Sequence, residues 1–218
     1  MTGLAQTPKL LKGGLVLVDP KSGALLRVIA WQYNPETQTR TVQVQAAGEG
    51  GDRSRALRFK GVPIETFKLE VFLDATEQLE PPGRVPAVAQ HGLHPQLAVL
   101  ETLAYPRSAD LLANDRLAGA GTLEVLAIEA PLALLVWGRN RIVPVRLTEL
   151  SITEELFDPA LNPLRAKVSL GLRVLSVDDL GFEHRGGGVF LSYLQQKERL
   201  AERSSSAELS VIGLERLP

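Results

Sequence analysis

Apolar and polar positions alternate along much of this chain. The alternation is cleanest in RAKVSLGLRV, residues 165 to 174. Ala166, Val168, Leu170, Leu172 and Val174 fall on one side, and Arg165, Lys167, Ser169, Gly171 and Arg173 on the other. Period two over such a length predicts a half-buried strand. Glu65 to Leu73 repeats it, with Phe67, Leu69, Val71 and Leu73 opposite Lys68, Glu70 and Phe72. In Thr39 to Gln45, Val42 and Val44 oppose Thr41, Gln43 and Gln45. Shorter runs at Leu15–Val18, Leu25–Tyr33, Leu123–Ile128, Leu132–Trp137, Ile142–Leu147 and Leu150–Phe157 also read as strands.

Turn chemistry separates these runs. Asp19-Pro20-Lys21-Ser22-Gly23, Asn34-Pro35, Pro81-Pro82-Gly83 and Gly138-Arg139-Asn140-Arg141 all favour reversal of the chain. Residues 1–13 read as a loose arm, and AAGEGGDRSR (46–55) as a flexible polar loop. Helical spacing predicts one helix from His94 to Tyr105, with Pro95 at its first turn and Pro106 as its stop. A short helical turn is expected near Ala109–Ala113. A second full helix is expected from Val189 to Arg203, after a hinge at Gly186-Gly187-Gly188 and before Ser204-Ser205-Ser206. Many strands joined by short turns, without a βαβ rhythm, predict a mainly β (α+β) fold. The expectation is an antiparallel barrel or sandwich over residues 1–180 with one flanking helix. Residues 181–218 form a hinge, helix and short tail that dock or pack.

Composition narrows the chemistry. The 218 residues suffice for one large domain, and 44% hydrophobic with 22% charged residues is ordinary for globular protein. The formal net charge of −1 and 5% aromatic content disfavour nucleic-acid binding. The absence of cysteine removes disulfides, thiolate metal sites and a thiol nucleophile. No apolar run approaches the ~18–20 residues of a membrane span. Synthesis and assembly in the cytoplasm, without membrane insertion, are expected.

The candidate reactive groups favour bland roles. His91 and His94, with Glu101 downstream, have metal-ligand residue types, but Gly92 and Pro95 break the helix that such spacing needs. They read as loop histidines. Gly48–Gly51 and Gly186–Gly188 lack the Lys-Ser/Thr pair of a phosphate loop. Asp178, Asp179, Glu183 and His184 read as a solvated connection. Ser151 and Ser169 face outward from strands, and no nucleophile elbow surrounds a serine. No catalytic residue, metal or cofactor is assigned, and the chain reads as a protein whose product is a surface.

Four stretches, in order, resemble a known family. They are Gln32-Tyr33-Asn34-Pro35-Glu36-Thr37; Phe59-Lys60-Gly61 through Phe67 to Glu77, with Asp74 in its last part; Leu134 to Gly138, with Trp137-Gly138; and Leu147 to Leu170, including Phe157, Asn162, Pro163, Leu164, Arg165 and Ala166. The resemblance, over about residues 15–180, is to the tube-initiator or tube-cap proteins of contractile injection systems, related to phage tail-tube and baseplate proteins. It implies a tail-tube-type β-barrel and a homohexameric ring in the baseplate of a phage tail-like particle. Its implied partners are the spike hub, inner-tube proteins and baseplate or sheath proteins. The particle is either released or kept inside the cell. The lysin repeat of many relatives has no counterpart here. Asn162-Pro163 stands where Gly-x-Pro is commoner, and Asn tolerates a left-handed turn.

On that reading Arg165, Lys167 and Arg173 project onto a lumen or a neighbouring subunit. Phe190 and Tyr193, on the stripe of the last helix, either pack on the chain's own barrel or dock on a baseplate neighbour. Two other readings remain open. One is the main inner-tube subunit of the same particle, and the other a barrel that holds a small apolar ligand.

Overall fold

The computed structural model describes residues 10–46, 58–76, 86–119, 130–204 and 209–216. Its centre is a seven-stranded antiparallel sheet. The strands are β1 (Gly14–Val18), β2 (Leu25–Ala30), β3 (Gln38–Gln43), β4 (Ile64–Asp74), β5 (Leu132–Val136), β6 (Ile142–Phe157) and β7 (Pro163–Val174). Their spatial order is β2-β1-β5-β6-β7-β4-β3. Among the described residues five α-helices accompany them: α1 (Pro86–His91), α2 (His94–Glu101), α3 (Ser108–Gly119), α4 (Val177–Leu180) and α5 (Arg185–Glu202). The expected strand at Leu123–Ile128, the turn at Pro81-Pro82-Gly83 and most of the 46–55 loop lie outside the described residues.

The two long alternating runs form the heart of the sheet. β4 and β7 pair from Thr66↔Arg173 to Asp74↔Arg165. Phe67, Leu69, Val71, Ala166, Val168, Leu170 and Leu172 lie on one buried face. Helix α2 adds Leu97 and Leu100, and α5 adds Phe190 and Tyr193. The parity of β4 and β7 thus serves one core, as a period-two pattern requires.

β6 is one strand of 16 residues, where the sequence read as two. A bulge between Leu147 and Glu149 explains the difference. Leu147 and Leu150 both face the core although they lie three apart, because the bulge absorbs Thr148. Of β6, only Ile142–Val145 pairs with β5. The far half of β6, from Glu149, pairs with β7 and has no strand on its other side among the described residues.

Among the described residues the barrel does not close. β2 and β3 are consecutive in sequence yet occupy opposite edges of the sheet. Seven strands laid flat would span about 29 Å. The connection from Ala30 to Gln38 reaches about 28 Å only when fully extended, and it bends at Gln32, Tyr33 and Glu36. The sheet therefore curls until its edges approach. Both edges are exposed: Leu25, Leu26 and Val28 on β2, Val42 on β3 and Val44 beyond it are all open to solvent. Val42 and Val44 were expected to face a core; as an edge, β3 covers none.

The helices also depart from expectation. α1 was not anticipated: it is only six residues long, too short to show a helical period, and Val88 is its residue in the core. α3 runs 12 residues instead of one turn and buries no side chain. α5 begins at Arg185, so Gly186-Gly187-Gly188 is helix and not a hinge. Gly186 and Gly187 are buried, and a Cβ on Gly187 would sit 2.0 Å from the Gly181 carbonyl oxygen. Those glycines let α5 approach α4 closely.

Candidate functional site

Trp31 and the residues of the first motif clasp the crossing between the two edges. Trp31 is buried, and its backbone N–H donates to the Gly13 carbonyl at 2.9 Å. The Gln32 amide pairs with the Asp74 backbone in both directions, donating to its carbonyl at 2.7 Å and accepting its N–H at 2.9 Å. Asn34 holds the arm before β1. Its side-chain oxygen accepts from Gly13 N–H at 2.9 Å, and its amide donates to Leu11 O at 2.8 Å. Lys12 donates to Gln32 O at 2.8 Å. The part of the arm nearest β1 is therefore tied down; residues 1–9 lie outside the described ones. Pro35 follows in the same crossing. Trp137, partly buried, packs against this corner beside Gly13, and Gly138 turns the chain at φ +72°.

Asp74 is the anchor of the adjoining corner. Its carboxylate accepts from Thr76 N–H at 2.8 Å, from the Thr76 hydroxyl, and from Arg165 Nε at 2.8 Å. Partial burial opposes ionisation, but the Thr76 and Arg165 bonds prevail and hold the carboxyl below its ordinary value of 3.8. Lys167 meets Glu70 at 2.8 Å and Arg173 meets Asp179 at 2.7 Å. Arg165, Lys167 and Arg173 thus share the outer face, each neutralised from within its own chain.

The Pro-marked turn before β7 is built on Asp158. Its carboxylate accepts from the N–H groups of Ala160 and Asn162 and from the Asn162 side chain, all at 2.8 Å. These bonds place Leu161, not Asn162, in the left-handed region at φ +65°. Asn162 serves as a side-chain donor instead. Pro163 is buried, and its carbonyl accepts from Leu93 N–H at 2.8 Å, which docks α2 onto the turn. Phe157 pairs across it and is half exposed.

Other motif residues are scattered. Phe59 is 78% exposed and bridges Ala46. Gly61 lies against the Asp178 carboxylate, which accepts Val62 N–H at 3.0 Å. Asp179 closes a capping box with Ser176 at the start of α4. This acidic group is a cap and an anchor rather than a solvated connection. His91 ends α1 and His94 begins α2, on either side of Gly92 at φ +52°. They are helix-end residues, not loop residues, and share no helical face. Among the described residues no group of His, Asp and Glu is placed to hold a metal.

Phe190 and Tyr193 are spent within the chain. Both are buried, and the Tyr193 hydroxyl donates to Glu65 Oε1 at 2.8 Å. Lys197 bonds the other Glu65 oxygen at 2.8 Å, and Arg40 on β3 stands 3.7 Å away. One buried carboxylate therefore binds β3, β4 and α5 together. As side chains they do not offer a docking face. Glu65 has a sequence signal that went unused: it shares the apolar parity of Phe67 and Leu69, which a charge does only with partners.

Residues 18–179 match the family described as contractile injection system tube protein. The chain belongs to that family. The match ends at the α4 cap, so α5 and the apolar tail from Leu209 lie beyond it. The tube-protein match covers the Gln32–Asn34 crossing, the Asp74 corner and the Asp158 turn. No curated protein matches this tube protein. Nine chains of solved structures do. One comes from the tail of an empty GTA particle, obtained by helical refinement with C6 symmetry. It shares 10% identity, covering 78% of this chain and 95% of that one, with a TM-score of 0.31. Among the described residues no helix is long and apolar enough to cross a membrane.

Proposed function

We propose that this tube-family chain is the subunit of a tube-initiator or cap ring that joins the spike hub to the inner tube of a contractile injection system. The carrying observation is the set of open strand edges. Among the described residues β2, β3 and the far half of β6 each have an edge without a strand partner, flanked by exposed Leu25, Leu26, Val28 and Val42. A free edge of this kind is an aggregation hazard unless another chain covers it. In a cyclic ring the contact is heterologous, so one edge of each subunit meets a different edge of the next. A homohexamer is the ring we assign, with baseplate or sheath proteins outside it. Assembly takes place in the cytoplasm, and no catalytic step belongs to the chain.

The segment beyond the family match favours the initiator over the repeating tube subunit. α5 is fastened to the sheet through Glu65, and the tail after it exposes Val211 and Ile212. Such an addition suits a ring whose two faces meet different neighbours. The main tube subunit is the alternative. A ligand-holding barrel is less favoured, because Trp31, Phe67, Leu135 and Leu170 fill the interior among the described residues.

Copy number tests the reading. Tagged protein would be isolated with intact particles and quantified against the spike. Six copies or a small multiple support the ring, whereas hundreds make it the tube subunit. Absence from particles that assemble normally overturns both.

A further inference from the structure

We propose that the outer polar face of β4, β7 and β6 is a charge-compensated wall over which polypeptide of either sign passes without being held. The inference rests on the tube reading above and specifies the cargo contact of that same surface. Three cations of the face are paired within the chain, while Arg146 on β6 stands opposite Arg173. Arg165 bonds Asp74 and has Glu155 opposite it on β6. Lys167 bonds Glu70, and Arg173 bonds Asp179. Between these pairs stand Ser151, Ser169 and Thr153. Gly171 leaves a shallow depression of about 290 Å³ whose rim carries both signs, Lys68 and Glu149.

Stability does not account for this arrangement. Ion pairs exposed to this degree contribute little. Their effect on the field is larger. A row of like charges would build a potential along the wall and retain counter-charged chains. Pairs closed within one subunit leave only short-range dipoles, which fade within a screening length of about 8 Å. The face also lacks an adhesive apolar strip: the half-exposed Phe72 ring has the Lys167 ammonium 5.8 Å from its centre.

Fluorescence anisotropy on the full-length protein, with short Lys-rich and Glu-rich peptides at low salt, tests the compensation. Wild type is expected to hold neither. The double substitution Glu70→Gln with Asp74→Asn frees two cations and should tighten the Glu-rich peptide by about tenfold. Arg165→Gln with Lys167→Gln should do the same for the Lys-rich peptide, and 0.5 M salt should abolish both gains. Wild-type retention of either peptide, or of a single-stranded oligonucleotide, overturns the proposal. So does an absence of gain in both variants. A separate readout tests the tube reading. Ser151→Cys would introduce the chain's sole thiol, since it has no cysteine. In assembled particles that thiol should react with a small maleimide and resist a polymer-linked one. Equal reaction with both places the face outside any passage, whatever the peptides do.

Discussion

Gly187→Ala separates a packed helix start from a hinge by the sign of its effect. At a solvated helical position alanine exceeds glycine by about 1 kcal/mol, so a loose glycine hinge predicts stabilisation. Here the new Cβ would meet the Gly181 carbonyl oxygen at 2.0 Å, with the carbonyl carbon at 3.2 Å. The obstacle is backbone, held by the Ser176–Asp179 capping box and by Arg173. α5 must lift by roughly 1 Å, which strains the packing of Phe190 and Tyr193. Overpacking of this kind costs about 1–3 kcal/mol. At the upper end, less the propensity gain, the net loss is about 2 kcal/mol, or about 4–8 °C in Tm at this chain length. Gly188 is the control: nothing lies within 4 Å of its Cβ position, so Gly188→Ala should raise Tm by about 2–4 °C. Thermal and urea unfolding, followed by the fluorescence of Trp31 and Trp137, measure both. A Gly187→Ala protein that melts at or above wild type would refute the packing argument.

Three further outcomes are expected. Leu161→Gly relieves a left-handed leucine that is 77% exposed and should stabilise by about 1 kcal/mol in urea; destabilisation would mean that φ is not strained. Tyr193→Phe leaves Glu65 with Lys197 but without its hydroxyl donor, at a cost of about 1.5–3 kcal/mol. A silent substitution there would refute the buried carboxylate as the fastener of α5. Burial opposes ionisation of Asp179, but its bonds to Ser176 and Arg173 together prevail and hold it below 3.8. A depressed folded value means that its stabilisation is complete above the unfolded value and fades as pH falls from about 4 through the folded one. Asp179→Asn should flatten that acid limb in a series of melts, and an unchanged limb would argue against the assignment.

The strands that bury one face were legible in the residues. β4 and β7 alternate because a pleated sheet with one dry side permits nothing else at Phe67, Leu69, Val168 and Leu170. β3 alternates just as well, yet Val42 is open to solvent, since alternation records two faces and not what covers them. The bulge at Thr148 shifted the phase of β6 by one residue and made one strand read as two. The glycines before Val189 read as a break because composition carries no information about a neighbour such as Gly181. At the candidate site, the Asn34 and Asp74 positions were visible as motif residues. Gln32 and Glu65 act through partners 42 and 128 residues away, and no local pattern reports those.

The crossing from β2 to β3 has a geometric consequence. Seven residues, anchored by Trp31, Gln32 and Asn34, fix the distance between the two edges of the sheet. That span is set by side-chain bonds to Asp74 and to the arm, not by strand pairing. Loosening Gln32 would therefore free the spacing of the edges while every ladder of the sheet stayed intact.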